Sequence, residues 1–130
     1  MTSVEPGLAA EVSMTVTEDD TAERWGSGTV PVLGTPSLVG LMEKAAVQAL
    51  EGNLPPTQTS VGGRMDVRHL APTPVGLQVH ARAQLVDGEG HRLVFHIEAW
   101  DDVEEVGQAT HQRFIIERES FISEAEAKKP

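Results

Sequence analysis

One segment of the chain, TPSLVGLMEKAAVQAL, has the pattern of a long amphipathic helix, and stretches that alternate like strands flank it. Pro36 suits the first helical turn, where its missing N–H is not needed, and Thr35 before it is a candidate N-cap. We predict a helix over residues 35–51 that ends at Gly52. A lone amphipathic helix has to bury its apolar face, so the rest of the chain must supply a sheet.

Alternation of apolar and polar residues predicts five strands around this helix. Because the connectors after the second strand are short, such as DGEG at Asp87–Gly90, we expect the last four strands to be antiparallel neighbours. Acidic residues around Asp101 are interpreted as a solvated turn. The predicted strands are 8–16, 57–70, 77–85, 92–100 and 103–117.

The second strand contains a glycine pair, Gly62–Gly63, which predicts a bulge or a close backbone approach. Simple alternation divides its other residues between two faces. One face is predicted to carry Thr59, Val61, Met65, Val67 and His69, and the other Ser60, Arg64, Asp66 and Arg68.

The element order predicts an α+β fold in which an antiparallel sheet wraps around one long central helix, the hotdog architecture. Ferredoxin-like and cystatin-like sheets are the alternatives, and the first requires a second helix that the sequence lacks. We expect a single domain over residues 1–130, with flexible termini at about 1–7 and 122–130.

The composition excludes several classes of function. A net charge of −10 argues against nucleic acid and anionic membranes as partners. The absence of cysteine removes disulfides, thiolate metal sites and cysteine nucleophiles. With no signal peptide or membrane-spanning run in view, we expect a cytoplasmic protein. The histidines form no compact ligand set, so neither a metal nor another cofactor is expected.

Glu43 does not fit the helix pattern. Helical periodicity predicts a polar stripe of Ser37, Lys44, Gln48 and Glu51 and an apolar stripe of Leu38, Leu41, Met42, Ala45 and Ala49. It puts Glu43 away from the polar stripe and beside Val39, Gly40, Ala46 and Val47. An unpaired carboxylate in apolar surroundings is costly, and proteins tend to keep such groups where they act chemically. The alternative is a glutamate at the helix rim that reaches water or pairs with an arginine.

His69 lies on the apolar parity of its strand and is the second candidate catalytic residue. With Thr35 and Glu43 it supplies a hydroxyl, a carboxylate and an imidazole, the groups used in general-base or nucleophilic acyl chemistry. Backbone N–H groups at Gly62–Gly63, or at the start of the helix, are candidates to bind a developing oxyanion. Spacing alone leaves open whether these groups meet.

Three segments together resemble the fluoroacetyl-CoA thioesterase family of hotdog proteins. They are VGLMEKAAVQAL, VRHLAPTPVGLQVHARAQL and GQATHQRFII, within residues 32–116. The resemblance implies a homodimer, or a tetramer, that binds acyl-CoA at a subunit interface. It also implies catalytic roles for Thr35, Glu43 and His69 and substrate contacts from Gly62 and Arg113.

The segment before Thr35 departs from the family pattern. The namesake of the family has an aromatic lid there, whereas this chain has ERWGSGTVPVLG, with Trp25 but no phenylalanine. We therefore expect a short-chain acyl-CoA as substrate, hydrolysed by the Thr/Glu/His set. Arginines 64, 68, 82, 92 and 113 are candidate partners for the CoA phosphates. The alternative function is a non-catalytic module that binds acyl-CoA or another small ligand.

Overall fold

A computed structural model describes residues 4–130 and shows one sheet with one long helix packed on it. Residues 1–3 of the predicted flexible N-terminus lie outside the described residues. The helices are α1 (Ala22–Trp25), α2 (Thr35–Leu50) and α3 (Arg118–Glu126). The strands are β1 (Ala9–Thr15), β2 (Gln58–His69), β3 (Gln78–Glu89), β4 (Arg92–Asp101) and β5 (Glu105–Glu117).

The sheet has the order β1-β3-β4-β5-β2, and each neighbouring pair is antiparallel. The predicted hairpins between β3 and β4 and between β4 and β5 are confirmed. The prediction is wrong for β2 and β3, because β2 pairs with β5 at one edge of the sheet while β3 lies between β1 and β4. The connector 70–77 crosses the end of the sheet, where the Thr73 carbonyl accepts a hydrogen bond from the Leu33 N–H.

The core lies between α2 and the inner face of the sheet, as the hotdog prediction requires. The predicted apolar stripe of α2 is buried, whereas Lys44 and Gln48 on the predicted polar stripe are exposed. The inner residues of β3 confirm the predicted alternation. The buried set comprises Leu38, Leu41, Met42, Ala45 and Ala49 from the helix and Val79, Ala81, Ala83 and Leu85 from β3.

The start of α2 differs from the prediction. Thr35 is not the N-cap but the first helical residue; the N-cap is Gly34, which has extended backbone angles. Glycine suits this position because a Cβ would lie 3.1 Å from backbone atoms of Ala22, closer than an ordinary contact. The Thr35 side chain makes no cap bond with the helix, which leaves its hydroxyl available for another partner. Gly52, with φ +78°, follows the last helical turn as predicted.

The bulge predicted at Gly62–Gly63 is confirmed by a register shift between Gly62 and Arg64. One extra residue reverses the side to which all preceding side chains point. The predicted faces of β2 are therefore correct after the bulge and wrong before it.

Pairing with β5 shows which residues face the helix in the first half of β2. Ser60 and Gly62 stand opposite the buried residues Ile115 and Arg113, and directly opposed residues point to the same face of a sheet. Both therefore face α2, although Ser60 was predicted to face away. The two residues predicted to face the core that instead face outward are Thr59 and Val61.

Helix α3 was not predicted. It follows β5 directly and continues to Glu126, within the segment expected to be a flexible terminus. It has no buried residues, which explains why its sequence carries no helical stripe. No helix within residues 4–130 is long and apolar enough to cross a membrane.

The acidic turn between β4 and β5 contains a buried carboxylate, contrary to the solvated turn predicted there. Asp101 Oδ1 accepts hydrogen bonds from the N–H groups of Val103 and Glu104, at 2.8 and 2.9 Å. Its Oδ2 accepts one from the buried hydroxyl of Thr73, at 2.8 Å. Burial acts to raise the pKa of Asp101, but these hydrogen bonds outweigh it and the pKa lies below its usual value.

Replacement of Asp101 by asparagine should destabilise the fold, because Asp101 joins the connector 70–77 to the β4–β5 turn through charge-assisted hydrogen bonds. We expect Asp101→Asn to lower the free energy of unfolding by about 1–2 kcal/mol at pH 7. A depressed folded-state pKa gives stability that is present above the unfolded-state pKa and is lost as pH falls through the folded-state value. The difference between variant and wild type should therefore narrow below about pH 4.

Urea denaturation at pH 7 and pH 3 measures this difference. Asp102→Asn is the matched control, since Asp102 is the exposed neighbour. Equal unfolding free energies for Asp101→Asn and Asp102→Asn at pH 7 would contradict the assigned role of Asp101.

Candidate active site

Thr35 and His69 meet at the N-terminal end of α2. The hydroxyl oxygen of Thr35 lies 2.8 Å from Nδ1 of His69, which is the last residue of β2. Two predicted site residues, 34 positions apart in sequence, thus form a hydrogen bond. A cavity of about 310 Å³ opens beside them, lined also by Val32 and Pro72.

The second ring nitrogen of His69 is buried without a hydrogen-bond partner among residues 4–130. Burial lowers the pKa of His69, and the backbone at Ala71 partly opposes this shift. His69 is therefore neutral at pH 7, with a basic nitrogen that can accept a proton. An unsatisfied buried polar atom is costly, so Nε2 is placed for a ligand or a partner group.

Glu43 lies two turns further along α2 and faces β2 and β5. It is away from the polar stripe, as predicted, but it is partly exposed and paired with an arginine, which is the alternative of a glutamate at the helix rim. Its Oε2 lies 3.4 Å from Nη1 of Arg113, on the inner face of β5. Arg113 is buried, whereas the Glu43 side chain is 42% exposed. The carboxylate is thus held by a buried cation on one side and open to a reactant on the other.

Arg113 is fixed by two further residues, Ser60 and His111, which were not among the predicted site residues. Its Nε donates to the Ser60 hydroxyl at 2.8 Å, and its Nη2 donates to the Ser60 carbonyl at 3.1 Å. Its Nη1 lies 3.1 Å from Nε2 of His111, which is itself buried. Burial lowers the pKa of Arg113 and Glu43 opposes this shift, so the guanidinium remains charged.

The glycine pair has two different environments. A Cβ on Gly62 would lie 2.6 Å from Oε2 of Glu43, so the missing side chain lets the carboxylate approach the strand. A Cβ on Gly63 would collide with the ring of Phe114 on the outer face of the sheet. Of the two glycines predicted to contact substrate, only Gly62 therefore borders the carboxylate.

The two groups of residues are separate within one chain. Thr35 and Glu43 are eight residues apart, about 12 Å along a helix axis. The contacts of Glu43 are with Arg113 and His111, not with His69. A second cavity of about 480 Å³ is lined by Ser60, which binds Arg113, and by Val47, one helical turn after Glu43.

Of the two residues that hold Arg113, His111 could be found from the sequence pattern and Ser60 could not. His111 and Arg113 occupy successive inward positions of one strand, a visible sign of a buried polar cluster. Ser60 could not be found by alternation, because the bulge reverses its face. No group of three histidine, aspartate or glutamate side chains suited to a metal occurs within the described residues.

Comparison with known proteins assigns the chain to a family. Residues 16–119 match the FlK family, described as fluoroacetyl-CoA-specific thioesterase. The fluoroacetyl-CoA thioesterase of Streptantibioticus cattleyicolor is 41% identical over 99 residues, which span 76% of this chain and 71% of that protein.

Solved structures show the same relationship. A structure of the fluoroacetyl-CoA thioesterase FlK superposes with a TM-score of 0.92 at 33% identity and covers 98% of both chains. A threonine-to-serine variant of FlK in complex with acetyl-CoA superposes with a TM-score of 0.92 at 32% identity, covering 98% of this chain and all of the other. These matches confirm the hotdog fold and the resemblance seen in the sequence. The chain belongs to the fluoroacetyl-CoA-specific thioesterase family, whose members hydrolyse acyl-CoA thioesters.

Proposed function

We propose that this protein hydrolyses a short-chain acyl-CoA at an interface between two copies of the chain, using Thr35, His69 and Glu43. The observation that carries the proposal is the Thr35–His69 hydrogen bond, with a neutral imidazole whose Nε2 has no partner within the described residues. A neutral imidazole placed in this way can take a proton from water at Nε2 or from the Thr35 hydroxyl at Nδ1. The thioesterase relatives supply the class of substrate.

His69 is the general base in this proposal, and its hydrogen bond permits two routes. If Nδ1 accepts the Thr35 proton, the threonine becomes the nucleophile or orients water. If Nδ1 carries the proton and donates a hydrogen bond to the Thr35 oxygen, then Nε2 has the lone pair and takes a proton from water directly. If water attacks the thioester carbon, the CoA thiolate leaves, takes the proton from His69, and the carboxylic acid is released. If Thr35 attacks, loss of the CoA thiolate leaves an acyl-threonine ester, which water then hydrolyses to the carboxylic acid and free Thr35.

Glu43, which is held beside Arg113, takes part in the same reaction. Its carboxylate orients the attacking water or attacks the carbonyl carbon itself to give an anhydride, which water then hydrolyses. Arg113 holds the carboxylate in place at 3.4 Å, while the exposed part of the Glu43 side chain leaves an oxygen free to react.

The β2 bulge is the better candidate for the oxyanion site. At the start of α2, Pro36 has no N–H, and the N–H groups of Ser37 and Leu38 already donate to the Gly34 carbonyl. By contrast, β2 is an edge strand beside Glu43, and an edge strand directs alternate N–H groups away from its neighbour. One such donor is worth about 3 kcal/mol of the barrier.

A homodimer explains why one chain separates the carboxylate from the imidazole. In a twofold assembly with α2 helices side by side, the Thr35–His69 pair of one subunit faces the Glu43–Arg113 pair of the other. The surface around Glu43 suits such contact, because Val47 is 49% exposed and the β2 edge is unpaired within residues 4–130. The predicted cytoplasmic location remains part of this proposal.

The acyl group is short in this proposal. The segment that precedes Thr35 is held close to α2, since the indole N–H of Trp25 donates to the Ser37 hydroxyl at 2.8 Å.

Thiol release from a panel of acyl-CoAs, with acetyl-, fluoroacetyl- and longer-chain substrates, tests whether the preferred acyl group is short. The chain has no cysteine, so a thiol reagent meets no background from the protein. Faster turnover of long-chain than of short-chain substrates would contradict the proposal.

Subunit complementation tests whether the site is shared. Glu43→Gln and His69→Ala should each lower kcat about 100-fold or more, because each removes a group that acts in the transition state. Co-expressed with different tags, the two variants should form heterodimers with one intact site and one doubly defective site. Purified heterodimers should therefore recover about half of the wild-type activity.

Two results would contradict the shared site. Heterodimers as inactive as the parent variants would place Glu43 and His69 in the same subunit's site. Full hydrolysis by both single variants would remove these residues from the mechanism altogether. A mixture of wild type with Glu43→Gln is the matched control for tagging and exchange.

The pH dependence of kcat/KM should report the neutral form of His69. Because burial lowers the pKa of His69 from the ordinary value of 6.5, activity should be lost only as pH falls through a midpoint below 6.5. His91→Asn, at an exposed turn, should leave that midpoint in place. An acid limb centred above 6.5 would contradict the role of His69 as a buried general base.

Gly62→Ala should reduce activity with little loss of stability. The new methyl group meets the end of the Glu43 side chain, which can swing away into solvent and so leave its place beside Arg113. We expect kcat to fall roughly 10- to 100-fold, as for loss of a well-placed catalytic group, with a melting temperature near wild type. The control is Gly88→Ala, where a Cβ meets only ordinary contacts. Equal kcat for the two variants would show that the approach of Glu43 to Gly62 is unimportant.

A further inference from the structure

We propose that His111 is a positioning residue, which acts in one neutral tautomer to aim Arg113 at Glu43 and to hold the β2 bulge in place. His111 is 1% exposed and stands on β5 opposite Met65, just past the bulge, with its ring between the Arg64 carbonyl and the Arg113 guanidinium. Its Nε2 lies 3.9 Å from Oε2 of Glu43, beyond hydrogen-bond distance, so its influence on that carboxylate is exerted through Arg113. The expected effect of His111 on catalysis rests on the proposed function, whereas its expected tautomer does not.

The hydrogen-bond partners of His111 fix its tautomer. Nδ1 lies 2.7 Å from the backbone carbonyl oxygen of Arg64, which can only accept, so Nδ1 carries a proton. Nε2 lies 3.1 Å from Nη1 of Arg113, which can only donate, so Nε2 presents its lone pair. Both nitrogens are used, and the imidazole is uncharged.

This tautomer constrains Arg113. The Nε and Nη2 groups of Arg113 donate to Ser60, while Nη1 donates towards both His111 and Glu43. The planar guanidinium thus donates hydrogen bonds on each of its sides. The position of the guanidinium in turn sets the position of the Glu43 carboxylate. Without the acceptor on His111, Nη1 would lose the partner that keeps it between the histidine and Glu43.

The second bond constrains the bulge. Arg64 follows Gly63 at the point where the register of β2 shifts. Its carbonyl therefore belongs to the bulged backbone that brings Gly62 against Glu43. A buried 2.7 Å hydrogen bond to that carbonyl limits rotation of the peptide units on either side. One imidazole therefore connects the strand irregularity to the ion pair.

The wild-type protein tests the tautomer directly. Nitrogen-15 correlation spectra of the imidazole rings at pH 7.5 should show His111 protonated on Nδ1 and not on Nε2, with the signal assigned by its loss in His111→Gln. A charged ring, or a ring protonated on Nε2, would overturn the proposal. This measurement needs no thioesterase activity, so it separates failure of this inference from failure of the proposed function.

Two variants separate positioning from packing. In His111→Gln the side-chain oxygen can reach the place of Nε2 and accept from Arg113, whereas His111→Leu fills space but accepts nothing. We expect kcat to fall about 10- to 100-fold in the leucine variant, as for loss of an outer partner that orients a working group. The glutamine variant should stay within about fivefold of wild type, with KM changed less than kcat in both.

The control is His91→Leu, a histidine replacement at an exposed turn, which should keep wild-type kcat. Wild-type kcat in His111→Leu would overturn the positioning role. A glutamine variant as impaired as the leucine variant, with both melting like wild type, would overturn it as well. If the leucine variant does not fold, the tautomer in the wild type and the activity of the glutamine variant decide the question.

Discussion

The contact between Glu43 and Arg113 is the interaction on which the rest of the site depends. A carboxylate turned away from the polar side of a helix is costly unless a cation and hydrogen bonds surround it. Here the cation is itself buried on β5, held on two atoms by Ser60 and on a third by His111. The pair is therefore anchored from the sheet side, and the half-exposed carboxylate is the part that remains available.

This arrangement requires an irregular strand. With regular alternation through residues 58–69, Ser60 and His69 would point to opposite faces of β2. The bulge at Gly62–Gly63 puts both on the helix side, so a single edge strand supplies the brace for Arg113 at one end and the imidazole beside Thr35 at the other. The absence of a side chain on Gly62 then admits Glu43 to the strand. The irregularity is thus a condition for the site and not a defect of the sheet.

The sequence predicted those features that follow from local periodicity. The apolar stripe of α2 and the alternation in β3 are confirmed because burial on one face imposes a period on the chain. Features that depend on contacts distant in sequence were missed: the pairing of β2 with β5 and the face of Ser60. Thr35 and His69 were grouped as candidates, but spacing left their contact open, and Thr35 bonds to His69 instead of capping the helix. Glu43 was found because it broke the helical pattern, but its partner Arg113 is 70 residues away, and no pattern reports that contact.

His69 and His111 show how one residue type serves two purposes in one site. Burial lowers the pKa of both, so both are neutral near pH 7. Their difference lies in the hydrogen bonds: each ring nitrogen of His111 has a partner, whereas Nε2 of His69 has none within the described residues. A ring nitrogen without a partner, such as Nε2 of His69, is open to a reactant, whereas an imidazole bonded through both nitrogens, such as His111, is held against rotation. The hydrogen-bond inventory, more than burial or pKa, therefore distinguishes the histidine suited to move a proton from the one suited to hold an arginine still.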